Sequence, residues 1–222
     1  MTIPSTFIIA FLILAALNIL AVGSKFKPLQ YVSQLLIVPS LILYYLFSIR
    51  LANIDILIVS GLICCAIGSY FLIYQEDETK LLLGIFIILL ANILYTISFL
   101  RSIETNVQYP WWKFTLLIPP TFILVYTILR IKGKTEVFSI PAFLYIGLVY
   151  LMCVSAVLRL PTNAELAYFL VWLGSIFFLF SVAISAIDSF RENIPRAGLF
   201  VRISYLVAQF LITQGMIFTS FI

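Results

Sequence analysis

The chain contains no histidine. No side chain in it has an ordinary pKa near neutrality apart from what strong perturbation would create. A Ser-His-Asp set cannot be drawn, and neither can a His-centred metal site. Charge is scarce as well: Asp, Glu, Lys and Arg make up 10% of the residues, against about a quarter in a soluble domain. The thirteen Lys/Arg and nine Asp/Glu all sit at the ends of long apolar segments or in the short loops between them. No lysine is therefore available at depth for a Ser-Lys pair. Cysteine is limited to Cys64, Cys65 and Cys153, all within apolar segments. No CxxC spacing exists, and adjacent residues point to different faces of a helix, so these thiols read as small buried apolar residues. No metal and no cofactor is expected. A net charge of +4 does not point to nucleic acid, because basic residues in apolar chains of this kind set membrane topology.

What fills the chain is hydrophobic sequence: 64% of it, with a mean hydropathy of +1.18. Eight apolar segments cover residues 4–22, 31–49, 54–74, 80–100, 113–131, 138–158, 165–187 and 199–221. Each can cross about 30 Å of hydrocarbon at about 1.5 Å per residue. Backbone exposed to lipid must pair its own peptide groups, so helices are the structure that fits. The expected fold is all-α, a polytopic membrane bundle of eight transmembrane helices in a single domain, residues 1–222. The N-terminal segment lacks the basic start of a signal peptide and is too long for one, so it reads as the first span. Gly23 and Pro28, Gln75 to Lys80, Pro110, Gly133, Pro161, and Pro195 with Gly198 fall between spans. Pro39 and the Pro119-Pro120 pair lie inside spans and predict kinks. The loops after spans 1, 3, 5 and 7 carry Lys25, Lys27, Lys80, Arg130, Lys132, Lys134, Arg191, Arg196 and Arg202. The other side carries Arg50, Arg101, Lys113 and Arg159. That bias predicts odd loops in the cytoplasm and both termini on the non-cytoplasmic side, with Tyr109, Trp111, Trp112 and Trp172 at the opposite interface.

With no charge at depth, uncharged polar groups become the candidates. Asn92 and Thr96 share a helix face, as do Gln209 and Thr213. Single Ser and Thr residues in spans ordinarily bond a neighbouring helix. A buried amide is costly enough to demand a partner or a wet cavity. Gly174, Ser181, Ser185 and Ser189 would let span 7 approach a neighbour closely. Glu76, Asp77 and Glu78 form an acidic cluster in a loop, either solvated or holding a cation or an amine headgroup. No span is split, and no coupling-ion site is evident.

Five stretches then align with one family. They are Lys27-Pro28-Leu29, Gly68-Ser69-Tyr70-Phe71-Leu72, and Gly84 with Phe86, Asn92, Tyr95 and Phe99. Next come Gly174-Ser175-Ile176-Phe177-Phe178 with Ser181-Val182, Ala186 and Phe190, and finally Tyr205, Gln209, Leu211 and Ile212. In order and spacing the chain resembles the YhhN family of eight-helix membrane proteins, which includes the animal lysoplasmalogenases. The resemblance covers nearly the whole chain. It implies a lysophospholipid or other membrane lipid as partner. It also implies hydrolysis of a vinyl ether, in which protonation at carbon gives an oxocarbenium ion that water captures. A carboxylic acid of raised pKa inside the membrane would suit as the donor.

The chain departs from the family pattern at three positions. The family has Asp where this chain has Ser69, His where it has Asn92, and Asp where it has Val182. The matching candidate pocket is Lys27, Ser69, Asn92, Tyr95, Ser181, Tyr205 and Gln209; no catalytic residue is assigned. Three readings follow. One is an active lipid hydrolase drawing its acid from Asp188, Glu192 or the Glu76–Glu78 cluster. Another is a member that kept the pocket and lost the chemistry, acting as a lipid-binding or accessory protein. The third is a small-solute transporter. The expected location is integral to a bacterial inner (plasma) membrane.

Overall fold

The computed structural model describes residues 3–24, 26–73, 77–103, 111–131, 139–159, 166–190 and 194–220. Lys25, Gln75, Glu76, Tyr109, Pro110, Lys132, Gly133, Lys134, Pro161, Arg191 and Glu192 lie outside them. Among the described residues the regular structure is entirely helical: α1 Ile3–Gly23, α2 Lys27–Ser48, α3 Ile56–Phe71, α4 Glu78–Arg101, α5 Trp112–Thr115, α6 Ile118–Ile131, α7 Ser139–Leu158, α8 Leu166–Phe190 and α9 Ala197–Thr219. A short 3₁₀ turn, Leu51–Asn53, precedes α3. Since α5 and α6 share one expected span, all eight apolar segments are present as helix. Six of these segments are long and apolar enough to cross a membrane. Ile56–Phe71 and Phe143–Leu158 are shorter apolar helices.

Local chemistry sets the helix ends. Lys27 and Pro28 belong to α2, because proline is tolerated in a first turn where its missing N–H has no partner. Asp55 caps α3, its Oδ1 accepting from the Leu57 N–H at 2.9 Å, the usual device for an orphan first-turn donor. Asp77 does the same for α4: Oδ1 accepts from the Lys80 N–H at 3.2 Å, and Oδ2 pairs with Lys80 Nζ at 3.0 Å. Glu78 is therefore helical rather than part of a loop cluster.

Span 5 corrects the expectation that no span is split. The chain breaks at Leu116 and Leu117, between α5 and α6. Pro119 and Pro120 have no N–H to give the carbonyls of Thr115 and Leu116. The preceding turn tightens, with Leu116 N–H donating to the Lys113 carbonyl and Leu117 N–H to the Phe114 carbonyl, both at 3.1 Å. The Trp172 indole N–H fills the vacancy on the Leu116 carbonyl at 3.2 Å. By contrast, α2 passes through Pro39 without interruption.

The chain divides into two compact units, Met1–Ser98 with Ser220–Ile222, and Phe99–Thr219. In the first, Asn18 Nδ2 on α1 donates to Ser33 Oγ on α2 at 2.8 Å. Gln34 Nε2 on α2 reaches the Ser69 carbonyl on α3 at 3.4 Å. The α3–α4 seam closes over glycine: a Cβ on Gly68 would stand 3.0 Å from the Gly84 carbonyl oxygen, and one on Gly61 would strike the Tyr95 ring. In the second unit, α8 and α9 meet at two such points. A Cβ on Gly174 would lie 2.9 Å from the Ile212 nitrogen, and one on Gly215 would lie 2.7 Å from the Ala167 carbonyl oxygen. Helices α6 and α7 pack beside α8. Only part of the expected small-residue stripe serves the α8–α9 seam: Gly174 and Ser181 face α9, while Ser185 and Ser189 are exposed.

Gly68-Ser69 lies at the end of α3, whereas Gly174-Ser175 lies in the first half of α8. The two dipeptides sit at different levels of their helices. Cys65 and Cys153 are buried and Cys64 is half-buried, as expected for adjacent residues on different faces.

Candidate functional sites on two helix seams

Four of the seven candidate residues belong to the first unit and three to the second. In the first, Ser69, Asn92 and Tyr95 are buried on the α3–α4 pair, while Lys27 is exposed at the start of α2. Glycine creates this seam: Gly68 admits Ile88 of α4, whose carbonyl is the partner of Asn92. The Ser69 hydroxyl donates to the Ala66 carbonyl at 3.1 Å, back onto its own helix. The Tyr95 ring packs against Gly61, and its Oη donates to Cys65 Sγ at 3.8 Å.

Asn92 is fully buried. Its Nδ2 donates to the Ile88 carbonyl at 2.8 Å, which fixes the orientation of the amide. Oδ1 is thus an acceptor, and among the described residues it has no hydrogen-bond partner. An unpaired buried carbonyl of this kind costs about 1–3 kcal/mol. It is suited to receive a hydroxyl, an ammonium or a water. It is not an acid.

In the second unit, Ser181 Oγ donates to the Val201 carbonyl at 2.9 Å. Tyr205 meets Phe178 edge-on with centroids 5.6 Å apart. Gln209 and Thr213 are fully buried on the same face of α9, and Thr213 Oγ1 has no partner among the described residues. Val182 is buried in this seam's helix. Apart from Lys27, both candidate sets therefore gather on glycine-closed helix seams, where Ser69, Ser181 and Tyr205 all have packing or hydrogen-bonding roles.

Two of the proposed acids, Asp188 and Asp77, are engaged elsewhere. Asp188 Oδ1 accepts from the Ile194 N–H at 2.8 Å and ties the end of α8 to the turn before α9. Asp77 caps α4, and hydrogen bonding to Lys80 holds its carboxyl below the usual carboxylate range. Among the described residues no group of three or more His, Cys, Asp or Glu could hold a metal.

Two features were not legible in the sequence. Asp55, at the start of α3, accepts from Ser98 Oγ and donates its N–H to Tyr45 Oη at 3.3 Å. Arg159 ends an apolar helix, but it is buried rather than solvated. Its Nη1 reaches Met216 Sδ and its Nη2 reaches Thr219 Oγ1, both at 2.8 Å. Its guanidinium lies 5.0 Å from the Tyr168 ring centroid. Lys113 is buried as well. A signal for Arg159 existed only in its neighbours: an aromatic and a methionine one turn inside the ends of adjoining helices.

The YhhN family model matches residues 29–216, most of the chain. No curated protein and no solved structure matches it.

Proposed function

Because the chain belongs to the YhhN family, we propose that it is a lysoplasmalogenase-like membrane protein that binds lysophospholipid without cleaving it. The observation that carries this reading is Asn92, a buried amide whose oxygen awaits a donor. A hydrogen-bond acceptor at this depth suits the hydroxyl or ammonium of a lysolipid. It cannot deliver the proton that vinyl-ether cleavage needs. Ser69 and Val182 supply no acid either; Asp55 and Asp77 cap helices, and Asp188 accepts from the turn before α9. General acid catalysis typically contributes about 10²- to 10⁴-fold, and that contribution is what the three replacements remove. The expected setting is a bacterial plasma membrane with both termini outside, as the loop charges favour.

Hydrolysis remains the second reading, favoured by the family itself. Transport finds less support. The break in span 5 lies about one turn from its start, not at the midplane where transporters place discontinuous helices.

The test is aldehyde release from a lysoplasmalogen by the purified full chain. The expected result is no aldehyde above a protein-free blank, together with a rise in melting temperature when the lipid is added. Aldehyde production by the unaltered chain would overturn the proposal in favour of hydrolysis. No thermal shift and no bound lipid would overturn it altogether. Ser69→Asp with Val182→Asp is expected to introduce measurable aldehyde release.

A further inference from the structure

The outward faces of α6 and α7 carry features that the lysolipid reading does not use. On α6, Ile118, Phe122, Val125, Tyr126 and Leu129 form an exposed stripe along one face. Near its end stands a polar pair. Arg130 Nε donates to Tyr126 Oη at 3.0 Å, and the guanidinium lies 5.2 Å from the Tyr126 ring centroid. Phe122 stacks on Tyr126 with centroids 6.3 Å apart. The Tyr126 hydroxyl is thus an acceptor toward Arg130, and among the described residues it donates to nothing. Its proton is exposed at the rim of an apolar face. Arg130 places a positive charge in the last turn of α6.

On α7 an apolar groove of about 440 Å³ is lined by Phe143, Leu144, Gly147, Leu148 and Leu151. That volume lies within the range of about 300–1,000 Å³ of ligand sites. Gly147 is its floor: a Cβ there would meet nothing within 4 Å. This glycine is therefore not explained by helix packing, unlike Gly68, Gly174 and Gly215. The groove and the polar pair lie on helices that pack together. Tyr126 is five residues before the end of α6 at Ile131, and Leu144 is five after the start of α7 at Ser139. Both are about 7–8 Å from that end of their helices at about 1.5 Å per residue.

We propose that α6 and α7 form a binding site for one anionic phospholipid. Tyr126 Oη and Arg130 meet its phosphate, and an acyl chain lies in the groove over Gly147. Phenol and guanidinium donors suit phosphate oxygens, and basic residues at a helix end attract anionic headgroups. The occupant is a membrane lipid rather than a free phosphate, because the groove has no polar lining residue to hold a free anion.

The test is native mass spectrometry of the full chain titrated with phosphatidylglycerol and, separately, phosphatidylcholine of the same chains. The expected result is one phosphatidylglycerol retained in preference to phosphatidylcholine. Arg130→Gln with Tyr126→Phe should lower that retention by roughly five-fold, the order expected for one basic group at an anionic surface. Gly147→Leu should lower retention of both lipids while leaving the melting temperature unchanged, since it fills open space. Glycerol 3-phosphate, which has the phosphate but no chain, should not displace the lipid. Equal retention of the two lipids by the unaltered chain overturns the proposal, whatever the variants do. Displacement by glycerol 3-phosphate overturns it in favour of a soluble phosphate site. A dimer that Gly147→Leu dissociates, with no lipid preference, overturns it in favour of a second copy on this face. None of these outcomes involves Asn92, so this site and the lysolipid site stand or fall separately.

Discussion

Asn92 is the residue at which burial and hydrogen bonding disagree. Its nitrogen is satisfied on its own helix and its oxygen is not. Replacing it by Leu removes an unpaired polar atom, and the expected outcome is a gain of about 1 kcal/mol in the ligand-free protein. Bound ligand stabilises by about 2.7 kcal/mol at a hundred times its Kd; Asn92→Leu should abolish that lipid-dependent increment. Thermal unfolding with and without lysophospholipid reads both effects, and an undiminished increment would remove Asn92 from the site. Arg196 is a second residue under strain, with a φ of 63° that non-glycine residues rarely adopt. The left-handed conformation costs an ordinary residue about 1–2 kcal/mol. Arg196→Gly is expected to leave stability equal or raise it by up to about 1 kcal/mol, since glycine's extra freedom when unfolded offsets part of the relief. Chemical denaturation in detergent measures it.

Among the elements, the helix seams decide which substitutions matter. Gly174 faces backbone atoms of α9 that cannot rotate away. Gly174→Leu should cost at least the 1–3 kcal/mol of ordinary overpacking, whereas Gly147→Ala should be neutral within about 0.5 kcal/mol. Comparing the two melting temperatures separates seam from groove. The break in span 5 is held by an indole. Trp172→Phe keeps the ring but leaves the Leu116 carbonyl without its donor, at a cost of about 1–2 kcal/mol. The double proline made a kink predictable. What could not be read was the donor that fills the open Leu116 carbonyl, because it comes from a tryptophan 56 residues downstream in sequence.

For the whole molecule, the missing histidine has a measurable consequence. No side chain with an ordinary neutral pKa contributes to folding, so stability should be flat from about pH 5.5 to 7. Asp77 sets part of the acid limit. Its carboxyl is held down by Lys80 in the folded protein. The contribution of that cap is complete above the ordinary carboxylate range, about pH 4, and is lost as pH falls through the lowered folded value. Melting temperature followed from pH 7 to pH 3 should fall only at the acid end. Asp77→Asn should fall less there, because an amide still caps the helix without titrating.

Apolar length and proline position determined the secondary structure. Eight segments had no stable alternative to helix in a lipid environment, and Pro119-Pro120 removed two donors wherever the chain was placed. The sequence also determined that no histidine-dependent chemistry was available. Tertiary structure decided how individual side chains were used. Ser69 and Ser181 look alike in sequence; one bonds its own helix and the other its neighbour. Gly68 and Gly174 serve seams, while Gly147 leaves a groove open. Arg159 at a segment end is buried, and Asn92 retains one unpaired oxygen. Helix formation is local and follows from hydrophobic length and peptide hydrogen bonding. Whether a polar atom finds a partner depends on what another helix brings to the same place.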